Sequence, residues 1–162
     1  MQVAISVPQL EREMLEMPQV ECQVWHRFGP GVYIREMLIP AGTLILGHSH
    51  RSEHINVMLS GTFALVREDG SVDALHAPMF FVGSAGRKMG YAIEDTVWQN
   101  IYATEERDLA KLEEMFIEKS EVFLEHERDQ LLVESVPSRD DAEVGVCIES
   151  EGAIAWPGPQ QQ

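Results

Sequence analysis

From Val20 to Tyr102 apolar and polar positions alternate in short runs that end at glycine, proline and Asp-Gly signals, the spacing of an all-β sandwich or barrel. The pattern predicts strands near 22–27, 31–39, 43–48, 54–59, 62–67, 72–75, 79–82, 88–93 and 96–102. They are joined at turn signals such as Gly29-Pro30-Gly31, Pro40-Ala41-Gly42, Ser60-Gly61 and Asp69-Gly70. Ahead of them, residues 8–16 read as a short helix with Pro8 near its start and Pro18 past its end, a lid or surface brace. Beyond Thr104 the period turns helical: Thr104 caps, Glu105 and Glu106 suit the positive end of the dipole, and Leu109, Leu112 and Phe116 share a face. A helix over 105–130 follows, with Ser120 as the place where it would break. The chain thus divides into a helical arm over 1–19, a β-barrel over 20–103, a helix over 104–132 and an acidic flexible tail over 133–162. In that tail only Val144 to Ile148 and Ile154 to Trp156 are apolar anchors, placed to add a strand or dock on a partner.

At 162 residues the chain is long enough for one core and too short for two. Its net charge of −15 repels phosphate backbones, and the only basic pair is Arg87-Lys88, so nucleic-acid binding is excluded as an expectation. No apolar run approaches the roughly 18 residues of a membrane span, and no secretion signal opens the sequence, so the expected location is the cytoplasm. Cys22 and Cys147 stand far apart with no paired motif, which suggests neither a disulfide framework nor a thiolate zinc site.

Chemistry concentrates in Gly47-His48-Ser49-His50-Arg51-Ser52-Glu53-His54. Side chains alternate along a strand, so a straight strand projects His48 and His50 to the same side. After a corner His54 begins another strand, with Asn56 and Met58 on its own face. If that face looks into a barrel, three imidazoles converge, a set suited to Fe, Ni, Cu, Zn or Mn. Corner histidines also serve as solvated turn residues or donors to carbonyls, and a one-residue bulge between His48 and His50 would point them apart. Met89 packs in the barrel, and Tyr91, two residues on, shares its inward face, either as a hydrogen-bond donor or acid or as a tyrosine satisfying a core acceptor. Arg35 and Glu36 are expected to pair at the rim, and His26 and His76 to be structural or surface residues. No hydrolase elbow or phosphate loop is present in the sequence.

His48-Ser49-His50, His54 and Gly61 resemble the first motif of the cupin superfamily, where HxH precedes a ligand glutamate and a turn glycine. Gly83-Ser84-Ala85-Gly86-Arg87-Lys88-Met89 resembles the second motif. Here His54 stands in the glutamate's place, Ser84 in that of a proline and Met89 in that of the last histidine. The resemblance covers roughly residues 30–102 and implies a cupin-type double-stranded β-helix, a jelly-roll barrel. More loosely, the chain is similar to small single-domain cupin-like proteins often encoded by bacteriophages, which would place it in the host cytoplasm or the virion. The resemblance implies a divalent metal (Fe, Ni, Mn or Zn) on His48, His50 and His54, with Asn56, Met58, Met89 and Tyr91 around a ligand pocket.

Three neutral imidazoles leave a bound ion its full charge, which favours a small anionic ligand or hydroxide, as in the three-histidine thiol dioxygenases that such a set resembles. Three functions are therefore open: a barrel that binds a metal or small anion, an interaction module with a residual site, and a metal-dependent dioxygenase-like enzyme. Opposite His54, the face made by Ile55, Val57 and Leu59 is also apolar, so both sides of that strand need cover and a homodimer is expected.

Overall fold

In the computed structural model, which describes residues 6–67, 69–132 and 145–148, the alternating runs become strands within two residues of where the pattern places them. β1 (Gln23–Gly29), β2 (Val32–Ile39), β5 (His54–Ser60), β8 (Met79–Gly83) and β10 (Thr96–Ala103) form one sheet in the order β1-β2-β10-β5-β8. β3 (Thr43–Leu46), β6 (Thr62–Val66), β7 (Val72–His76), β9 (Met89–Ala92) and β12 (Gly145–Ile148) form the second, in the order β12-β3-β9-β6-β7. Every pairing is antiparallel except β12 on β3. The interleaved order makes a jelly-roll barrel, and Val24, Met37, Ile39, Ile45, Met58 and Phe63 close its core between the sheets. The turn into β6 requires Gly61: its φ of 93° is left-handed, and a Cβ there would lie 2.5 Å from the Asp95 carbonyl oxygen.

α1 (Val7–Leu15), capped by the Ser6 side chain, lies against the barrel with Glu11, Met14 and Leu15 buried. The helix expected over 105–130 breaks just before and at Ser120, where the sequence places the break, into α2 (Leu109–Phe116) and α3 (Glu121–Leu132). Thr104 does not cap it. The Thr104 hydroxyl takes the Glu106 amide and the Glu106 carboxylate takes those of Arg107 and Asp108, which makes a turn, so the cap falls to Asp108. Ile117 is extended and opens β11 (Ile117–Glu118), which pairs with β4 (Ser49–His50); the Ser120 hydroxyl then accepts the Phe123 amide and starts α3. No helix among the described residues is long and apolar enough to cross a membrane. Apart from β12, the tail expected to be flexible lies outside the described residues.

α1 and α3 cover the outer face of the second sheet, where Met14, Leu15, Val122 and Phe123 pack with Leu46, Leu44 and Met89. Glu11, with no exposed surface, faces this contact. Its carboxylate receives Arg87 Nη1 at 2.8 Å and Nη2 at 2.5 Å and the Ser120 hydroxyl at 2.7 Å, while Arg87 Nε donates to the Gly47 carbonyl at 2.6 Å. One ion pair thereby joins both helices to the end of β3. Burial alone would raise the Glu11 carboxyl; the bonds from Arg87 and Ser120 and the charges of Arg87 and His48 outweigh it and hold it below the usual carboxylate range.

A carboxyl with a depressed folded pKa contributes stability that is fully present above its unfolded pKa and is lost as pH falls through the folded value. Glu11→Gln is expected to cost about 3 kcal/mol near neutral pH, because it strips the counter-charge from a largely buried Arg87. Urea unfolding at about pH 7 and about pH 3 checks both effects: the variant's deficit should shrink at the lower pH, and a constant deficit would show that the carboxylate charge is not what matters.

Candidate functional site

The corner after β3 decides where the histidines go. Leu46 opposes Met89 on β9, so an unbroken ladder would bring Ser49 opposite Gly86; the residue bridged to Gly86 is His50, by a reciprocal pair of backbone bonds at 3.0 and 2.9 Å. One extra residue is therefore accommodated between Leu46 and His50, a bulge that resets the alternation. His48 stays on the outer side with Leu46, its ring edge-on to Phe123 of α3 with centroids 4.6 Å apart. His50 turns inward and stacks on His54 at 4.1 Å. Tyr102 continues the stack, 5.2 Å from His54 on one side and 4.1 Å from Phe116 on the other.

Hydrogen bonds orient the two inward rings. His54 Nδ1 lies 3.1 Å from the Ser52 carbonyl oxygen, which only accepts, so Nδ1 carries a proton and Nε2 is the ring's remaining polar atom. His50 Nδ1 meets the Tyr102 hydroxyl at 2.9 Å.

Both rings line a cavity of roughly 60 Å³ between the sheets. Met37, Ile39, Ile45, Phe63, Leu65 and Phe81 make its apolar wall. Its polar side consists of His50, His54, Asn56, Asn100 and Trp98, with Lys88 at the border. The Asn56 carbonyl oxygen accepts from both Trp98 Nε1 at 2.9 Å and Asn100 Nδ2 at 2.8 Å, which fixes its amide with NH2 towards Gly83. Gly83 and Gly90 leave the cavity its room, since a Cβ on either would run into Asn56 or the Phe63 ring.

Against the expectation, the structure brings together His50, His54 and Asn56 but not His48. Met58 is fully buried in the core and does not line the cavity. Met89 borders it while packing towards α1 and α3. Tyr91 faces outward and is exposed: the inward positions of β9 are Gly90 and Ala92, opposite Ile45, Leu65 and Phe63, so the strand's parity is the reverse of that assumed. Arg35 and Glu36 likewise leave β2 on opposite faces, and Glu36 pairs with Arg27 at 2.7 Å. The residues missed, Trp98 and Asn100, alternate with each other and with Tyr102 along β10, a signal legible once that strand's inner face is known. A three-histidine metal centre does not fit this arrangement, because His48 sits beyond the barrel wall from the other two. Among the described residues no group of three or more His, Cys, Asp or Glu side chains is placed to hold a metal.

The sequence matches no family model and no curated protein. Solved structures that resemble the chain include a cupin domain from Bordetella pertussis Tohama I, at 16% identity and a TM-score of 0.44, covering 54% of this chain and 98% of that one. A cupin superfamily protein from Desulfitobacterium hafniense DCB-2 gives 10%, 0.43, 58% and 87% in the same terms, and KdgF from Halomonas sp. gives 17%, 0.41, 51% and 79%. The strand order described above stands on its own: the chain folds as a jelly-roll barrel.

Proposed function

We propose that the barrel binds a small organic anion, a short carboxylate with an apolar body, in the cavity beside His50 and His54. The observation that carries this reading is the composition of the lining: among the described residues no acidic side chain lies there, and imidazoles, side-chain amides and Lys88 stand on one side. A carboxylate held beside the Asn56 amide hydrogens and the Lys88 ammonium is stabilised, whereas a cation would meet no counter-charge. The volume suits about four or five non-hydrogen atoms, judged by the space that ordered waters need. Affinity for so small a ligand should be on the order of millimolar. Catalysis is not assigned to the site. The specific feature that favours a metal as the second reading is the His54 Nδ1 bond to a carbonyl, the support that metal-ligating imidazoles commonly have; only two imidazoles would then serve as ligands.

Titration of the labelled protein by NMR with carboxylates of about two or three carbons, and with the matching amides, tests the anion reading. Carboxylates should shift the Asn56, Trp98 and Asn100 resonances, and amides should not; equal binding of both would sink it. Asn56→Asp keeps an acceptor for Trp98 and Asn100 but adds a negative charge, so it should stay folded and lose the anion. Asn56→Ala strands two donors and should cost about 2–4 kcal/mol in urea unfolding. Mass-spectrometric metal content of untagged protein is the remaining check: a stoichiometric divalent ion that disappears in His54→Ala would replace the anion by a two-histidine metal centre.

A further inference from the structure

The inner face of the first sheet is banded. Residues directly opposite one another on paired strands share a face, so the register lines up the inward side chains in rows. Phe28, Tyr33 and Tyr102 form an aromatic row that ends at the His54 ring, stacked on Tyr102. Val24, Met37, Trp98 and Met58 form an apolar row. Between them runs a polar row, His26, Arg35, Asn100 and Asn56, with one residue from each of four adjacent strands. His26, at its end, is taken up by Tyr33, whose hydroxyl lies 2.7 Å from Nδ1 and whose ring it stacks on. Asn56 and Asn100 line the cavity, and Arg35 is the next residue along the row. Among the described residues no carboxylate stands on this face.

We infer that Arg35 is a specificity-determining residue of this site, and that the ligand carries two acid groups, one in the cavity and one beyond it at Arg35. This rests on the reading of the cavity as an anion site. Directly opposed residues hold their Cβ atoms about 5 Å apart, so the Arg35 side chain starts beside Asn100. Arg35 is half-buried, as an arginine is when its stem packs on a wall and its head stays accessible. The guanidinium offers a carboxylate two parallel N–H bonds, a geometry that neither an amide nor Lys88 supplies. The cavity holds only a short acid, so a longer ligand must project from it. Along the polar row its second charge meets a donor, whereas the rows on either side are aromatic and apolar. Asn56 and Arg35 stand two strand spacings apart, roughly 10 Å, and both reach towards a bound molecule, so a dicarboxylate of about four or five carbons spans them. The chain as a whole, at −15, repels a dianion more than a monoanion, so a preference for the dianion has to be a local effect.

NMR titration of the labelled full chain compares a dicarboxylate of about four or five carbons with its monoamide, which has the same length and one acid group fewer. The dicarboxylate should bind about tenfold tighter or more, the gain from one charge-assisted pair. It should also shift the Arg35 Nε–H resonance, which the monoamide should leave in place. Arg35→Gln should bring the dicarboxylate down to the monoamide's affinity without changing the affinity for the monoamide itself. If that variant fails to fold, the Arg35 resonance of the wild type carries the test. Equal affinity for the two ligands, or a preference that survives Arg35→Gln, overturns the inference and leaves the anion reading of the cavity in place. So does a dicarboxylate that fails to bind where the short acids bind. Absence of binding by every carboxylate, the short ones included, overturns both.

Discussion

A buried carboxylate must be given a cation and enough donors, and in this chain the partners of Glu11, Arg87 and Ser120, come from two segments far apart in the sequence. Arg87 precedes the strand that forms one wall of the cavity, Ser120 begins α3, and the guanidinium also holds the carbonyl of Gly47 at the end of β3. Satisfying Glu11 therefore brings the helical layer onto the second sheet and fixes the segment containing the bulge. The backbone pair between His50 and Gly86, one residue before Arg87, lies within the same segment. The inward turn of His50 and the outward position of His48 are consequences of a corner pinned from outside the barrel, so the N-terminal helix bears on the geometry of a cavity it does not touch.

The same pinning explains the asymmetry of the molecule. A barrel made from two short sheets has two outer faces, and only one receives helices, because the buried pair docks α1 and α3 at the β3 and β9 side. The apolar outward positions of β5 and β8 thus have no cover within the described chain. That gives the barrel one face capped by its own helices, and it assigns opposite roles to the two sheets: the capped one carries the corner that shapes the cavity, the other carries most of the polar groups inside it.

Strand positions were legible because period-two alternation and turn chemistry act locally, and nine predicted strands correspond to nine in the structure. What was not legible depended on parity. Whether His48 joins His50 turns on a single extra residue after Leu46, and no local feature of Gly47-His48-Ser49 announces it. Tyr91 was assigned inward from Met89, but the inner face of β9 belongs to Gly90, whose missing side chain is what the Phe63 ring needs and which no hydrophobic pattern records. Glu11 is harder still: in a short amphipathic helix a glutamate reads as solvated, and only the tertiary arrival of Arg87 and Ser120 makes its burial tolerable. β12 was anticipated as one use of the apolar Val144 to Ile148, though its parallel pairing with β3 was not.

The cavity's chemistry follows from how its polar groups are held. Asn56 uses its oxygen on Trp98 and Asn100, so its amide hydrogens are the part left to contact a ligand, and the orientation is set before anything binds. The imidazoles are fixed by groups outside the cavity, Ser52 for one and Tyr102 for the other. A ligand thus meets the Asn56 amide hydrogens in a defined direction, with Lys88 at the border. Long-range steering cannot help an anion reach them, since the chain as a whole is strongly negative. Selection must come from short-range hydrogen bonding in a desolvated space, where a misplaced or missing acceptor leaves buried donors unpaired and costs far more than at the surface. The site therefore discriminates by the fit of a few acceptor atoms against an apolar wall, and a substitution that alters the wall without touching the donors should change which body is accepted while keeping the preference for a negative head.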